Sequence, residues 1–443
     1  MTNLARNGVA TIFGRQQEAS WPDSAESTGD FLKVVHKIKY WEAKGPARDA
    51  FEILSLDIIN HLEQYLDSLP SSIRVTFSVY MVGEDPERTH PVVVFICDQT
   101  GPCREAQRLI DESRLLEGFP GMTSDIAAVP PDFDYVDQLA SQPTPLPGAS
   151  GPDQSSLASV GVTGKRVSVT TLTESGPSSQ TATLGGFVQH NQETYIYTVG
   201  HLFQTPIPQE RASQPASLQD GHSAQVTGTA RAELAVFSAD LDYALIKVHD
   251  PASMLRATDD QDFCSTRPTH VVRAPLKTTS INARTASAGM VKGTLYATPS
   301  FTRLPNSKSF QRVYRARFSR PLAKGDCGAW VVDEATRGLY GHIIAGGEHN
   351  AYIVPAHAVF QNAEEQLGDR IRLFENPYAD SSSAELRAQD GPQEDLTHGR
   401  RFGARTSFTD SGYGSSTEPM LRDQRHEVSF LPCREFMSTL IST

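Results

Sequence analysis

The sequence predicts a mainly β protein in which antiparallel barrels follow a small α+β domain. From Arg166 to about Leu373, short β-type runs alternate with turn residues, which is typical of antiparallel barrels. Upstream of that region, apolar stretches with helical spacing stand beside strand-like runs. Proline, glycine, serine and glutamine predominate between the two regions, and a polar segment with little apolar periodicity follows the barrels.

These changes in composition predict the domain boundaries, and a Pro/Gly-rich run at 143–148 is the clearest linker signal. The expected organisation is an unstructured stretch at 1–27, an α+β accessory domain at 28–128, a linker at 129–164, a double β-barrel at 165–375 and a disordered tail at 376–443.

The apolar spacing predicts the elements of the accessory domain. Phe31, Val35, Ile38 and Trp41 recur at helical intervals, which predicts a helix that ends near Gly45. The other expected elements are a helix at 48–69, strands at 73–81 and 92–97, and a helix at 103–116; a further helix, at 355–368, closes the barrels. The apolar stripes of this domain indicate core, and no chemistry is assigned to it.

Charge and cysteine content exclude several function classes. The net charge is −12 without a concentrated basic stripe, which disfavours nucleic-acid binding. No apolar run has the length of a membrane span, and the first twenty residues lack an apolar signal-peptide core. Five cysteines show no paired metal-ligand spacing, so neither a metal nor a cofactor is expected.

The stretch 324–332, Lys-Gly-Asp-Cys-Gly-Ala-Trp-Val-Val, carries the strongest chemical signal. Acyl transfer needs a thiol or hydroxyl on a sharply turned loop, with backbone N–H groups aimed at the developing oxyanion. Glycine permits that turn and keeps bulk away from the substrate. The alternative is an ordinary turn in which Cys327 is a small buried hydrophobe.

This loop resembles the Gly-Asp-Ser-Gly-Gly nucleophile loop of the chymotrypsin/trypsin-like proteases, with cysteine in place of serine as in picornavirus-type cysteine proteases. The segment 194–203 ends a β-rich run at His201 and resembles the family's histidine segment. The segment 240–248, Asp-Leu-Asp-Tyr-Ala-Leu-Ile-Lys-Val, resembles its aspartate segment. The order His, Asp, nucleophile is the chymotrypsin order.

The resemblance implies two packed antiparallel barrels with the site in the crevice between them. It implies that His201 is the general base and acid, that Asp242 rather than Asp240 orients the imidazole, and that Cys327 is the nucleophile within hydrogen-bond reach of His201. The N–H groups of Gly325 and Cys327 would form the oxyanion hole. The alternatives are that His201 caps a strand and that Asp242 is an ordinary turn residue.

Two departures from the family pattern bear on this reading. No run resembles the Ile-Val-Gly-Gly terminus that pairs with the family's aspartate before the nucleophile, so Asp326 needs another partner. Leu202 stands where extracellular relatives have a disulfide-bonded cysteine. A reduced intracellular compartment, cytoplasmic or nuclear, is therefore expected.

Substrate specificity is weakly marked. Pro321, at the position of the family's pocket floor, excludes an acidic floor and therefore a preference for Lys or Arg. The strand at 341–347 resembles the substrate-binding strand, and we expect Ile344, Ala345 and Gly346 to bind substrate backbone by β-augmentation. Viral relatives read glutamine with a histidine on this strand, but alternation sends His342 to the opposite face.

The sequence therefore predicts an intracellular cysteine-type endopeptidase with a polypeptide substrate. The alternative is a protease-like binding module that uses the cleft or the accessory domain to hold a protein partner. The motifs at 325–331 and 340–342 also resemble trypsin-like proteins of filamentous fungi, which implies no known substrate.

The predicted tail contains the run Asp410-Ser411-Gly412-Tyr413-Gly414-Ser415. It resembles a phosphorylation-dependent degradation signal, because two phosphoserines on an accessible segment would present strong negative charge to an arginine-lined receptor. The alternative is a chance match within a Ser/Gly-rich linker.

Overall fold

The computed structural model describes residues 21–66, 69–97, 99–133, 144–145, 164–173, 176–203, 224–225, 232–249 and 267–374 of the 443-residue chain. The predicted tail at 376–443, with the run from Asp410 to Ser415, lies outside these ranges, and so do Cys264 and Cys433. None of the helices in the described part of the chain combines the length and apolar character needed to cross a membrane.

A closed antiparallel barrel of six strands is formed by the second half of the described chain. Its strands are β15 (Thr279–Thr285), β16 (Gly289–Arg303), β17 (Gln311–Phe318), β18 (Trp330–Asp333), β19 (Gly338–Gly346) and β20 (Asn350–Pro355). They pair in the order β16-β15-β18-β19-β20-β17, and β17 pairs back to β16, which closes the barrel. The short strand β14 (His270–Val271) lies parallel to β19. Helix α4 (Ala356–Leu367) follows β20, as predicted for the closing helix.

The preceding β region consists of two antiparallel sheets. One sheet has the order β11-β7-β8-β6 and the other the order β12-β13-β10-β9-β21. The bounds are β6 (Thr144–Pro145), β7 (Arg166–Thr173), β8 (Gly176–Thr183), β9 (Gly186–His190), β10 (Glu193–Thr198), β11 (Ala224–Gln225), β12 (Ala232–Ser238), β13 (Tyr243–Val248) and β21 (Arg372–Leu373). One buried apolar cluster joins residues of both regions, among them Ile196, Ala244, Val331 and Ile343. The predicted mainly β fold class is confirmed, with one closed antiparallel barrel and two further sheets among the described residues.

The N-terminal region shares a sheet with the closed barrel. Its elements are α1 (Ser24–Ser27), β1 (Thr28–Val35), β2 (Ile38–Ala43), α2 (Gly45–Glu63), β3 (Val75–Val82), β4 (His90–Cys97), α3 (Thr100–Ser113) and β5 (Thr123–Ala127). Strand β3 pairs with β4 and β2, and also with β16 of the barrel. Phe301 and Phe310 of the barrel region lie in the same buried cluster as Phe77 and Phe51.

The helix predicted over 31–41 is wrong, because this segment is the β1–β2 hairpin. His36 and Lys37 form its two-residue turn with φ of 49° and 71°, the left-handed pair that a twisted hairpin requires. Phe31 pairs with Trp41 across the strands, with ring centroids 5.2 Å apart. Apolar residues occupy both faces of this hairpin, and their combined spacing imitates a helix.

Residues 21–27, expected to be unstructured, contain a packed turn that ends in α1. The Trp21 indole Nε1 donates a hydrogen bond to Ser27 Oγ at 2.9 Å, and Ser24 Oγ donates to Thr89 O at 2.6 Å. The first of these hydrogen bonds closes the turn on itself, and the second joins the turn to Thr89 of the accessory region.

The first residues of the predicted linker are also packed against the barrel. The Asp132 carboxylate accepts hydrogen bonds from Arg315 at 2.8 Å and from the Tyr80 hydroxyl at 2.9 Å. Arg315 is fully buried, and its guanidinium lies 4.5 Å from the Tyr80 ring centroid. Asp132 thus joins β3 of the accessory region to β17 of the barrel.

Candidate active site

His201 lies in a short 3-10 helix, Gly200–Phe203, directly after β10. Strand β10 pairs with β13 so that Thr198 is opposite Ala244, which brings the residues after β10 beside those before β13. A Cβ on Gly200 would lie 2.9 Å from Ser238 O, so only glycine allows this close approach.

Asp242 holds the His201 imidazole from the side of Nδ1. Its Oδ2 lies 2.8 Å from His201 Nδ1, and its Oδ1 accepts a hydrogen bond from the His201 backbone N–H at 2.7 Å. Asp240 does not face the ring; its Oδ1 accepts a hydrogen bond from Ser307 Oγ at 2.6 Å. The structure therefore brings His201 together with Asp242, as the sequence predicted.

The environment of Asp242 favours its ionised form. Burial alone raises the pKa of this carboxyl, but the charge and hydrogen bonds of His201, with His342 nearby, hold it below its usual value. Asp242 also has a φ of 47°, a left-handed conformation that is uncommon for a residue other than glycine.

The loop at 324–328, which carries Cys327, is fixed to the first β region by Thr183. The Thr183 hydroxyl donates to Gly325 O at 2.7 Å, and the Thr183 N–H donates to Cys327 O at 2.7 Å. The same hydroxyl accepts a hydrogen bond from Ala286 N at 3.2 Å. Gly325 and Gly328 have φ of 98° and 92°, and a Cβ on Gly328 would lie 2.2 Å from Thr183 O.

Asp326 has a partner inside the barrel. Its Oδ1 accepts a hydrogen bond from Ser287 N at 3.0 Å, and its Oδ2 accepts from Ser287 Oγ at 2.6 Å and from Ala323 N at 2.8 Å. Ser287 lies in the turn between β15 and β16 and takes the place of a free chain terminus. Sequence reasoning found no signal for Ser287 or Thr183.

The Cys327 thiol does not contact the imidazole through a hydrogen bond in this structure. The thiol is fully buried and donates to Ile344 O at 3.0 Å. The His201 Nε2 atom is buried and has no hydrogen-bond partner among the described residues. An imidazole oriented by a carboxylate at Nδ1 and open at Nε2 is the arrangement that accepts a proton from a nucleophile.

Ile344 is displaced by a β-bulge. The β19–β20 register passes from Ile343 opposite Ile353 to Ala345 opposite Tyr352, which leaves Ile344 as the extra residue. The bulge turns Ile344 O toward Cys327.

Pro321, the expected pocket floor, is exposed after β17, and the adjacent Leu322 is buried in the core.

The ring of His342, in β19, contacts other residues of the protein through both nitrogens. It is fully buried, and its Nε2 lies 3.0 Å from Asp242 O. Its Nδ1 lies 2.7 Å from the Tyr197 hydroxyl. Burial lowers the pKa of His342 to about 4 despite the opposing effect of Asp242.

No protein-family model and no curated protein matches the chain. Solved structures similar to it include protease A of Thermobifida fusca, at 12% identity and a TM-score of 0.32 over 48% of this chain and 99% of the protease. A chymotrypsin of Cellulomonas bogoriensis is 15% identical with a TM-score of 0.31, over 49% and 99% of the two chains. A Nocardiopsis protease is 13% identical with a TM-score of 0.30, over 48% and 99%. The identities and TM-scores are low, so the fold is assigned here from the strand order of this chain alone.

We expect Asp242→Asn to slow peptide turnover far more than Asp240→Asn. An amide at 242 can donate to Nδ1 and so favour the wrong imidazole tautomer, whereas the Asp240 carboxylate accepts a hydrogen bond from Ser307. The expected loss is about 100-fold, below the ~10⁴ of serine triads, because a thiol ionises near neutral pH without full assistance. Steady-state kinetics of both variants measure it, and equal losses would show that Asp242 does not orient the base.

Acid is expected to destabilise the fold through His342. Its pKa of about 4 in the folded chain lies below its ordinary 6.5, so the unfolded chain binds more protons between these values. The full stability is therefore present above pH 6.5 and is lost as the pH falls toward 4, by at most on the order of 3 kcal/mol. Urea unfolding across this window should show a smaller pH dependence for His342→Gln than for the native chain. An identical dependence would contradict this prediction.

Proposed function

We propose that this chain is an intracellular cysteine-type endopeptidase of chymotrypsin-like fold that cleaves polypeptides through an acyl-enzyme. The observation that carries the proposal is the buried His201–Asp242 pair, joined at 2.8 Å, whose Nε2 has no hydrogen-bond partner among the described residues. Leu202, the residue after His201, lies in the same buried cluster as Cys327. Cys97, Cys103 and Cys327, in the described part of the chain, are thiols rather than disulfide sulfurs, which suits a reducing compartment.

In the proposed first step, His201 Nε2 takes the Cys327 proton and the thiolate attacks the scissile carbonyl carbon. The sulfur–carbon bond forms as the carbonyl π electrons move to oxygen. Asp242 stabilises the resulting imidazolium. The N–H groups of Gly325 and Cys327 would bind the oxyanion.

The proposed second half returns the enzyme to its starting state. The His201 imidazolium donates its proton to the leaving amine as the carbon–nitrogen bond breaks. Water then attacks the thioester with His201 again acting as the base, which releases the carboxylic acid product and the thiol. This cycle requires the thiol to leave its hydrogen bond with Ile344 O and turn to Nε2.

We further propose that substrate binds as an added strand along Ile344, Ala345 and Gly346. The β18–β19 register ends at His342, and backbone hydrogen bonds from Gly328 and to Ala329 continue this side as far as Ile343. Strand β20 occupies the other side of β19. The backbone of 344–346 on the β18 side is therefore the position where an extended peptide could add a strand. The bulge at Ile344 places this segment beside Cys327.

A digest of a peptide library by the purified full chain tests the proposal. Mass spectrometry of new peptide termini should show cleavage by the native protein. Cys327→Ala and His201→Ala should show none. Cleavage that persists in Cys327→Ala would show that Cys327 is not the nucleophile.

The alternative is a binding module that retains the fold without turnover. The full burial of the Cys327 thiol and its hydrogen bond to Ile344 O favour this alternative. It predicts that peptides from the library are retained by the native protein and by Cys327→Ala alike, and that none is cut.

A further inference from the structure

Two buried side chains behind the proposed triad form a continuous hydrogen-bonded path to Asp242. The Tyr197 hydroxyl lies 2.7 Å from His342 Nδ1, and His342 Nε2 lies 3.0 Å from the backbone oxygen of Asp242. Tyr197 is 1% exposed and His342 is 0% exposed. The path crosses from β10 to β19 and ends at the residue just before β13.

The chemistry of the partners fixes the state of the imidazole. A backbone carbonyl only accepts hydrogen bonds, so Nε2 of His342 must carry the proton. Nδ1 is then the acceptor, and the Tyr197 hydroxyl donates to it. Burial lowers the pKa of His342 and raises the pKa of Tyr197, so both groups are neutral at neutral pH.

The left-handed conformation of Asp242 must be stabilised by contacts with other residues. Its φ of 47° lies in the left-handed region, which costs on the order of 1 kcal/mol or more for a residue with a side chain. Two groups oppose this cost. The His201 N–H holds the carboxylate at Oδ1, and His342 holds the carbonyl.

Tyr197 is itself fixed by rings from two parts of the site. It stacks on Tyr243, the residue after Asp242, with ring centroids 6.2 Å apart and planes at 17°. It also meets the edge of Trp330, three residues after Cys327, at 5.6 Å. The hydroxyl therefore has little freedom to leave His342.

We propose that His342 and Tyr197 are positioning residues that lock Asp242 in its left-handed conformation and so keep its carboxylate on His201 Nδ1. Both ring nitrogens of His342 are occupied within the protein, which excludes a substrate-reading role for this side chain. The inference rests on the proposed function because it concerns the same His201–Asp242 pair.

The pKa of His201 tests this proposal without any need for turnover. The ring resonances of histidine-labelled full-length protein are followed by NMR as the pH is varied, and His201 is assigned by their loss in His201→Gln. His342→Leu removes the hydrogen bond to Asp242 O, so the carboxylate is held less firmly. We expect the pKa of His201 to fall by about one unit, since an adjacent carboxylate stabilises the imidazolium.

Two further variants separate positioning from general packing. His342→Gln can donate to Asp242 O and accept from Tyr197, and should restore a pKa of His201 close to that of the native chain. Tyr197→Phe removes one oxygen and should lower it in the same direction as His342→Leu, by less. His190→Gln is the matched control; it replaces a buried histidine whose ring nitrogen contacts Asn191 instead, and should leave His201 unchanged.

An unchanged pKa of His201 in His342→Leu and Tyr197→Phe would overturn the proposal. If His342→Leu does not fold, Tyr197→Phe decides the question by itself. In an active enzyme, Tyr197→Phe should also lower kcat and leave KM unchanged. If the native chain cuts no peptide, the proposed function fails while the titration still tests the positioning role.

Discussion

Replacing Cys327 with alanine is expected to abolish peptide hydrolysis while the fold survives. No other described side chain is proposed to form the acyl-enzyme, and loss of a triad nucleophile costs about 10⁶ in turnover. The structural cost is small, because alanine leaves only a small space and removes one thiol–carbonyl hydrogen bond, to Ile344 O. Peptide cleavage and the urea midpoint, measured on the same preparation, test both parts.

Cys103→Ala is the matched control for this variant. Cys103 is also a buried cysteine outside any disulfide, and its thiol donates to a backbone carbonyl, Phe95 O, at 3.2 Å. It should retain full activity with a similar loss of stability. Cys327→Ser should retain a trace of activity, since His201 and Asp242 can still serve a hydroxyl. Full activity in Cys327→Ala would exclude Cys327 as the nucleophile.

Asp132→Ala is expected to cause the largest loss of stability, about 3–5 kcal/mol, because it leaves the Arg315 guanidinium buried without its carboxylate. Burial lowers the pKa of Arg315, but Asp132 and the surrounding tyrosines raise it overall, so the charge remains. The loss should appear in urea unfolding as a lower midpoint.

Two further variants show whether the loss comes from the unpaired buried charge. Glu112→Ala removes the carboxylate from an exposed pair with Arg108 and should change the midpoint little. Replacing both buried partners, as Asp132→Leu with Arg315→Met, should lose less than Asp132→Ala, because no charge is left unpaired. A midpoint for Asp132→Ala equal to that of Glu112→Ala would show that the buried pair does not hold the accessory region to the barrel.

The local patterns that the sequence carries were enough to locate much of the fold. Strand alternation predicted β3, and a continuous apolar run predicted β4. The residues around His201 and Asp242 predicted which aspartate faces the imidazole. The β1–β2 hairpin was missed, because its turn, His36-Lys37, lacks the Gly or Asn that usually marks a left-handed pair.

The partners of the site residues could not be read from the sequence because they are distant along the chain. Thr183 binds the nucleophile loop from 142 residues away, and His342 reaches Asp242 O across 100 residues. No local pattern marks a threonine at the end of a strand in the first β region as the partner of a loop in the closed barrel. Alternation predicted that His342 faces away from the substrate side of its strand, but only the structure identifies Tyr197 and Asp242 as its partners.

The rate at which Cys327 is alkylated as a function of pH tests the central claim, activation of this thiol by His201. With a small electrophile such as iodoacetamide, the native protein should be labelled selectively at Cys327. Labelling should continue below the ordinary pKa of a thiol, because a nearby imidazolium stabilises the thiolate. In His201→Ala, labelling of Cys327 should slow sharply near neutral pH and recover only at alkaline pH. Equal labelling rates in the two proteins across the pH range would contradict the account.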